Sequence, residues 1–228
     1  LIDPSFYVNV SAAYDLVLTE EIDGFSITHT LEATGTRLNV GYKRINSTAP
    51  QFFERLDLGW NLAAIPDNAT IQAMNLTLYA TSLGNTSNQN VSAVNMAKNW
   101  TQHSTTLSYW TDAGDGKVYT TTSFLSAGFH TYNLINASDD FQMNLTRDFW
   151  DVGLYSPSGE NIQGNGITNR IYAPSENTNA SRRPVLSVTY TFAANETDGD
   201  DAIAQGISDS LPSAVIHNEQ QVYTRNSA

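Results

Sequence analysis

The chain has 228 residues, 40% of them hydrophobic and 15% charged, and 11 basic against 23 acidic side chains leave it a net charge of −12. That is enough length and apolar material for a full core, as one β-sandwich or two smaller domains, while the acid excess excludes a phosphate-backbone binder, which needs clustered Lys and Arg. The absence of cysteine removes disulfides, thiolate zinc sites and cysteine nucleophiles, and no apolar run approaches the roughly 18 residues that cross a bilayer.

Residues 1–23 hold Phe6-Tyr7-Val8-Asn9-Val10 and Tyr14-Asp15-Leu16-Val17-Leu18, strand-forming material that reads as an N-terminal extension. The opening Leu1 reads as the start of a processed, mature chain. From residue 24 to 192 period-two alternation dominates, and no stretch longer than about ten residues keeps a clean 3.6 period, so the domain is all-β. Strands are expected near 36–42, 52–58, 90–96, 130–134 and 152–155. At 73–80, Met74, Leu76, Leu78 and Ala80 take one face while Asn75, Thr77 and Tyr79 take the other. Pro184 opens a last strand in which Leu186, Val188, Tyr190 and Phe192 alternate with polar neighbours. Turn-rich pieces at 81–89, 112–116 and 157–166 separate these elements, and many short strands at such spacing make a sandwich or barrel. Residues 193–228, opening with Asp198-Gly199-Asp200-Asp201 and closing with Ala214-Val215-Ile216 and Gln221-Val222-Tyr223, are too polar for a core of their own and form a C-terminal extension expected at an inter-subunit contact.

Asn-X-Ser/Thr occurs eleven times, at Asn9, Asn46, Asn68, Asn75, Asn85, Asn90, Asn99, Asn136, Asn144, Asn179 and Asn195. With 22 Asn and 46 Ser plus Thr in the chain, random placement gives about four such acceptor motifs. The excess points to an exported glycoprotein carrying covalent N-linked glycans, and glycans would hydrate a surface whose charged share is well under the usual quarter or so.

The motif order of residues 24–192 resembles the DNRLRE or disaggregatase-related domain, which overlaps the uronate-associated carbohydrate-binding module family 96. The resemblance is carried by Thr36-Arg37-Leu38-Asn39-Val40-Gly41, by Arg55-Leu56-Asp57-Leu58 with Ile65-Pro66, by Asn99-Trp100-Thr101 with Ser108-Tyr109-Trp110, and by Arg183-Pro184-Val185-Leu186-Ser187-Val188-Thr189-Tyr190. It implies a jelly-roll-type antiparallel β-sandwich of the kind found in secreted surface proteins of archaea and bacteria. Trp100 and Trp110 fall where that family buries a tryptophan. Arg55, on the strand face of Asp57, reads as half of a structural ion pair. Glu54 and Trp60 depart from the pattern, and Trp60, at a loop entrance, reads as a subunit contact or a sugar platform.

Catalytic constellations are missing. His29, His103, His130 and His217 are scattered, Glu20-Glu21 and Asp139-Asp140 are adjacent pairs, and no Gly-rich phosphate loop occurs. No cofactor is required. Calcium is the one metal with a case, through the hard oxygens of Asp112 and Asp115 and of Asp198, Asp200 and Asp201. The leading expectation is a non-enzymatic, glycosylated extracellular subunit that forms a homopolymer, a filament, pilus-like fibre or sheath, by strand donation. Phe6, Val8, Val10, Leu16 and Leu18 would be the donated face. The alternative is a carbohydrate-binding module for uronic-acid or cell-surface polysaccharide, with Arg37, Lys43 and Arg44 as its basic patch.

Overall fold

A computed structural model describes residues 5–32, 37–84, 90–123, 126–160 and 166–191. The C-terminal extension from 193 lies outside the described residues, as do the parts of the expected turns at 85–89 and 161–165. The described residues form an all-β antiparallel sandwich of eleven strands. In chain order they are β1 (Phe6–Asp23), β2 (Ser26–Glu32), β3 (Leu38–Arg44), β4 (Gln51–Asn61), β5 (Thr70–Leu83), β6 (Asn90–Asn95), β7 (Val118–Ser123), β8 (Gly128–Asn133), β9 (Phe149–Tyr155), β10 (Gly166–Tyr172) and β11 (Val185–Thr191). Pairing runs β2-β1-β11-β5-β10-β3-β4-β9-β6-β7, with β8 on β5 and a further ladder between β1 and β4. Six strands, β1-β11-β5-β10-β3-β4, thereby close a circuit around the main core.

β1 explains how one strand serves both layers. Residues Phe6 to Ser11 pair with β11, and Ala12 to Ile22 pair with β4, with a register shift between Ala12 and Tyr14. An extra residue in a ladder flips side-chain parity. Before the shift, Phe6, Val8, Val10 and Ala12 pack on the main core. After it Val17 takes that side, while Leu16 and Leu18 turn to a second cluster with Tyr42, Phe53, Met96, Tyr109, Trp110 and Ala113. That is why Asp15-Leu16-Val17-Leu18 is a continuous buried run instead of an alternation.

The second cluster lies under helix α1 (Thr106–Asp115), which the sequence reading assigned in its last part to a turn at 112–116. The helix is ten residues long, at the limit of what apolar periodicity resolves. Its start is set by Thr105, whose hydroxyl oxygen accepts the Ser108 backbone N–H at 3.1 Å. A second helix, α2 (Ser138–Leu145), buries Phe141 and Leu145 in the main core, with the Phe141 ring edge-on to Trp150 at 5.1 Å. Trp60 is fully buried beside Trp150. The expectation of a loop-entrance platform is therefore corrected, because Trp60 shares the inward parity of Leu56 and Leu58 on β4.

Candidate functional site

Nine of the eleven acceptor asparagines fall among the described residues, and none of the nine is buried: Asn9, Asn46, Asn68, Asn90, Asn136 and Asn179 are exposed, and Asn75, Asn99 and Asn144 half-buried. Asn85 and Asn195 lie outside the described residues. Local turn chemistry sets several of these sites. The Asn46 Oδ1 accepts the Thr48 and Ala49 backbone N–H groups and the Thr48 hydroxyl at 2.8 Å. Asn99 and Asn179 hold their own motif hydroxyls, Thr101 at 2.7 Å and Ser181 at 2.8 Å, in the same manner. In all three the oxygen faces its own turn. Asn136 and Asn144 are wired the other way, their Nδ2 groups donating to the carbonyls of Tyr119 at 3.1 Å and Asp140 at 2.8 Å.

The expected donor residues Phe6, Val8, Val10, Leu16 and Leu18 are all on β1, where they pack on the chain's own two cores. β1 seats against β11, β4 and β2 in the same chain. Among the described residues the pairing order ends at β2 and β7, and β8 pairs with β5 alone.

Beyond the donor ladder, the outer face of β1, β11, β5 and β8 carries uncharged side chains. Register places Asn9, Ser187, Asn75 and Asn133 in one row across the four strands, flanked by Ser11, Val185, Thr77 and Thr131 in the next. Ser187 donates to Asn9 Oδ1 at 2.7 Å, and Tyr7 donates to the same oxygen at 2.8 Å. Two aromatics stand out of this face, Tyr7 at 64% and Phe129 at 59% exposure. Arg182 brings a cation to its margin, stacked 4.4 Å from the Tyr79 ring.

Under α1 lies a polar cluster that the sequence did not announce. Asp57 on β4 and Asp151 on β9 are diagonal neighbours on the α1 side of the sheet. Tyr14 donates to Asp151 Oδ1 at 2.5 Å and lies 3.4 Å from Asp57 Oδ2, and Tyr109 of α1 donates to Asp57. Asp57 Oδ1 has no hydrogen-bond partner among the described residues. Burial pushes the Asp57 carboxyl well above its usual range, and the neighbouring Asp151 charge pushes it further. Burial likewise raises Asp151, to about 7. Gly59 makes room for this cluster, since a Cβ there would sit 2.6 Å from Asp151 Oδ1.

Arg55, on the same face, pairs with Glu160 and not with Asp57. Its guanidinium grips both Glu160 oxygens at 2.7 and 2.8 Å, donates to the Trp110 carbonyl at 2.6 Å, and stacks 4.2 Å from the Trp110 ring. The ion pair expected from the sequence thus has a partner 105 residues away, which no local spacing reveals. Trp110 is buried, as the resemblance implied; the Trp100 side chain lies outside the described residues. Glu54 accepts from Asn39 at 3.1 Å.

Asp112 and Asp115 sit on α1. Asp112 spends both oxygens on the backbone N–H groups of Ala97 and Lys98, at 2.9 and 3.1 Å, and lies 3.2 Å from His103. Asp115 is exposed. Among the described residues no three metal-capable side chains gather, and Asp198, Asp200, Asp201 and His217 lie outside them. Of the basic patch, Arg44 donates to the carbonyls of Ser47 and Ala49, while Arg37 is exposed and Lys43 half-buried. His29 meets Glu20 at 2.9 Å across the β1–β2 ladder, and His130 is buried against the Ser126 carbonyl at 2.7 Å. No helix among the described residues is long and apolar enough to cross a membrane. No family model matches this chain, and no curated protein matches it.

Proposed function

We propose that this chain is a glycosylated, non-enzymatic structural subunit of an extracellular surface, assembling with copies of itself into a filament or sheath. The observation that carries the reading is the acceptor distribution: a twofold and larger excess of Asn-X-Ser/Thr motifs, with every described one clear of the core. A chain that made such motifs by compositional accident would put some on inward-facing strand positions. Self-assembly is favoured by a sheet whose outermost strands keep one backbone edge open among the described residues. Strand donation by residues 6–18 fits as an exchange, in which β1 leaves its own seat between β11 and β4 and fills the identical seat of a neighbour.

Native material sheared from the cell surface tests this reading. Electron microscopy is expected to display regular assemblies, and mass spectrometry a chain that loses mass when its N-linked glycans are removed enzymatically. Glycopeptide mapping is expected to find Asn46, Asn68, Asn90 and Asn179 occupied, and Asn136 and Asn144 bare, since their amide nitrogens are already held by backbone carbonyls. Bare polypeptide mass in dispersed monomers would refute it.

A second reading, a carbohydrate-binding module, is favoured by the uncharged β1–β11–β5–β8 face with Tyr7 and Phe129. Hydroxyl and amide rows with protruding rings suit a neutral polysaccharide better than a uronate, which a chain of charge −12 repels. In unglycosylated protein, Tyr7→Ala and Phe129→Ala are each expected to weaken retention on neutral polysaccharide about tenfold. Unchanged retention in affinity electrophoresis would dismiss this surface. The two readings compete at Asn9 and Asn75, because a glycan on either would cover the face.

A further inference from the structure

We propose that β2 is a self-pairing edge: two copies of the chain join through antiparallel β2 strands about a two-fold axis at His29. This deepens the assembly reading and rests on it by naming one of its contacts.

The strand Ser26-Ile27-Thr28-His29-Thr30-Leu31-Glu32 reads almost the same in both directions about His29. Antiparallel pairing with a second copy in that register sets His29 opposite its own copy, Ile27 opposite Leu31, Thr28 opposite Thr30 and Ser26 opposite Glu32, so like meets like and the one carboxylate of the strand faces a serine. An isologous contact demands this self-complementarity, and aliphatic and Thr–Thr cross-strand pairs are the favourable ones. The edge is also available. Among the described residues β2 pairs only with β1, and its apolar side chains are uncovered, Ile27 at 59% and Leu31 at 39% exposure, with Phe25 fully exposed at the hairpin turn.

Edge strands are normally guarded by lysine, proline, a bulge or an inward charge. β2 has no lysine, proline or bulge, and its ladder to β1 runs without a register shift from Val17↔Glu32 to Asp23↔Ser26. Its central His29 already has a partner in its own chain, Glu20 at 2.9 Å, so the axis does not bring two bare imidazoles together. Direct partners share a face, so Ile27 and Leu31 of the two copies would form two apolar pairs, one on each side of the central His29 pair, with Ile22 facing Ile27 across the β1–β2 ladder.

The test uses the unglycosylated 228-residue chain in light scattering across a concentration series. The parent is expected to approach twice 25.0 kDa as concentration rises. Ile27→Lys/Leu31→Lys and Ile27→Glu/Leu31→Glu each place like charges opposite one another only in this register, and each is expected to associate at least about tenfold more weakly. An equimolar mixture of the two is expected to recover association, and to lose it again in high salt. Both substitutions are at exposed positions, and unfolding midpoints near the parent's verify that the fold is kept. A parent that stays monomeric, double variants that associate as tightly as the parent, or a mixture that fails to recover overturns the proposal. Filaments absent from native material would defeat the assembly reading while leaving this solution dimer measurable; filaments unaffected by the double variants would defeat this edge alone.

Discussion

Deleting residues 1–23 is expected to abolish cooperative folding altogether, and not to leave a folded domain with an empty groove. β1 pairs with three other strands, β11, β4 and β2, and it supplies the fully buried Leu18 with Leu16 and Val17 at 3% exposure. Removing either buried Leu to Ala costs about 2–5 kcal/mol, against a total stability of about 5–15 kcal/mol for a domain. Loss of the whole strand also breaks the six-strand circuit at β11 and β4 and exposes both clusters to water. Circular dichroism of the truncated chain should register no sigmoidal thermal transition. Addition of a peptide spanning 6–23 separates two accounts of the result: recovery of a transition means that β1 can be seated from outside, as strand exchange requires, whereas no recovery means that β1 acts only within its own chain. A truncated chain that melts cooperatively by itself would contradict the role argued for β1.

How much of this was legible in the sequence depends on where the information is stored. Alternation at Met74, Leu76, Leu78 and Ala80 reports local geometry, and all four are buried while Asn75, Thr77 and Tyr79 are not. β11 follows the same rule, and the expected strands near 52–58, 90–96, 130–134 and 152–155 coincide with β4, β6, β8 and β9. The acceptor asparagines are equally local, since a three-residue motif needs no fold to be seen. Two features were hidden for the same physical reason. α1 is too short to establish a helical period, and its buried residues Tyr109, Trp110 and Ala113 acquire meaning only once β1, β4 and β9 present a face for them. The parity shift between Ala12 and Tyr14 then decides that Tyr14 reaches Asp151 and Asp57. Residues 14, 57, 109 and 151 share nothing in sequence; β1, β4, α1 and β9 bring them together.

That cluster is expected to make the fold more stable in mild acid than at neutral pH. Asp151 titrates near 3.8 when unperturbed and at about 7 in the folded chain, chiefly because burial penalises its charge, and Asp57 is raised by the same cause and by Asp151 itself. A raised carboxyl holds its proton more tightly folded than unfolded, so its contribution to stability is complete below about pH 4 and is lost as the pH climbs through about 7. For Asp151 alone the span from 3.8 to about 7 corresponds to about 4 kcal/mol. Burial also raises Asp15 and Glu54, which act in the same direction. His130 opposes them: burial lowers its pKa below 6.5, so acid favours the unfolded chain at that one site. Four carboxyls against one imidazole set the sign, and urea unfolding is expected to give a markedly higher midpoint at pH 4.5 than at pH 8. Asp151→Asn keeps an oxygen for the Tyr14 hydroxyl while removing the charge, so it should raise stability at pH 8 by about 2–4 kcal/mol and leave pH 4.5 nearly unchanged. A stability curve that rises from pH 4.5 to pH 8, or an Asn variant weaker than the parent at pH 8, would mean that the buried acids are stabilised as carboxylates. In that case Asp57 Oδ1, which has no partner among the described residues, would have to be solvated by a route that the packing of α1 on β4 and β9 does not provide.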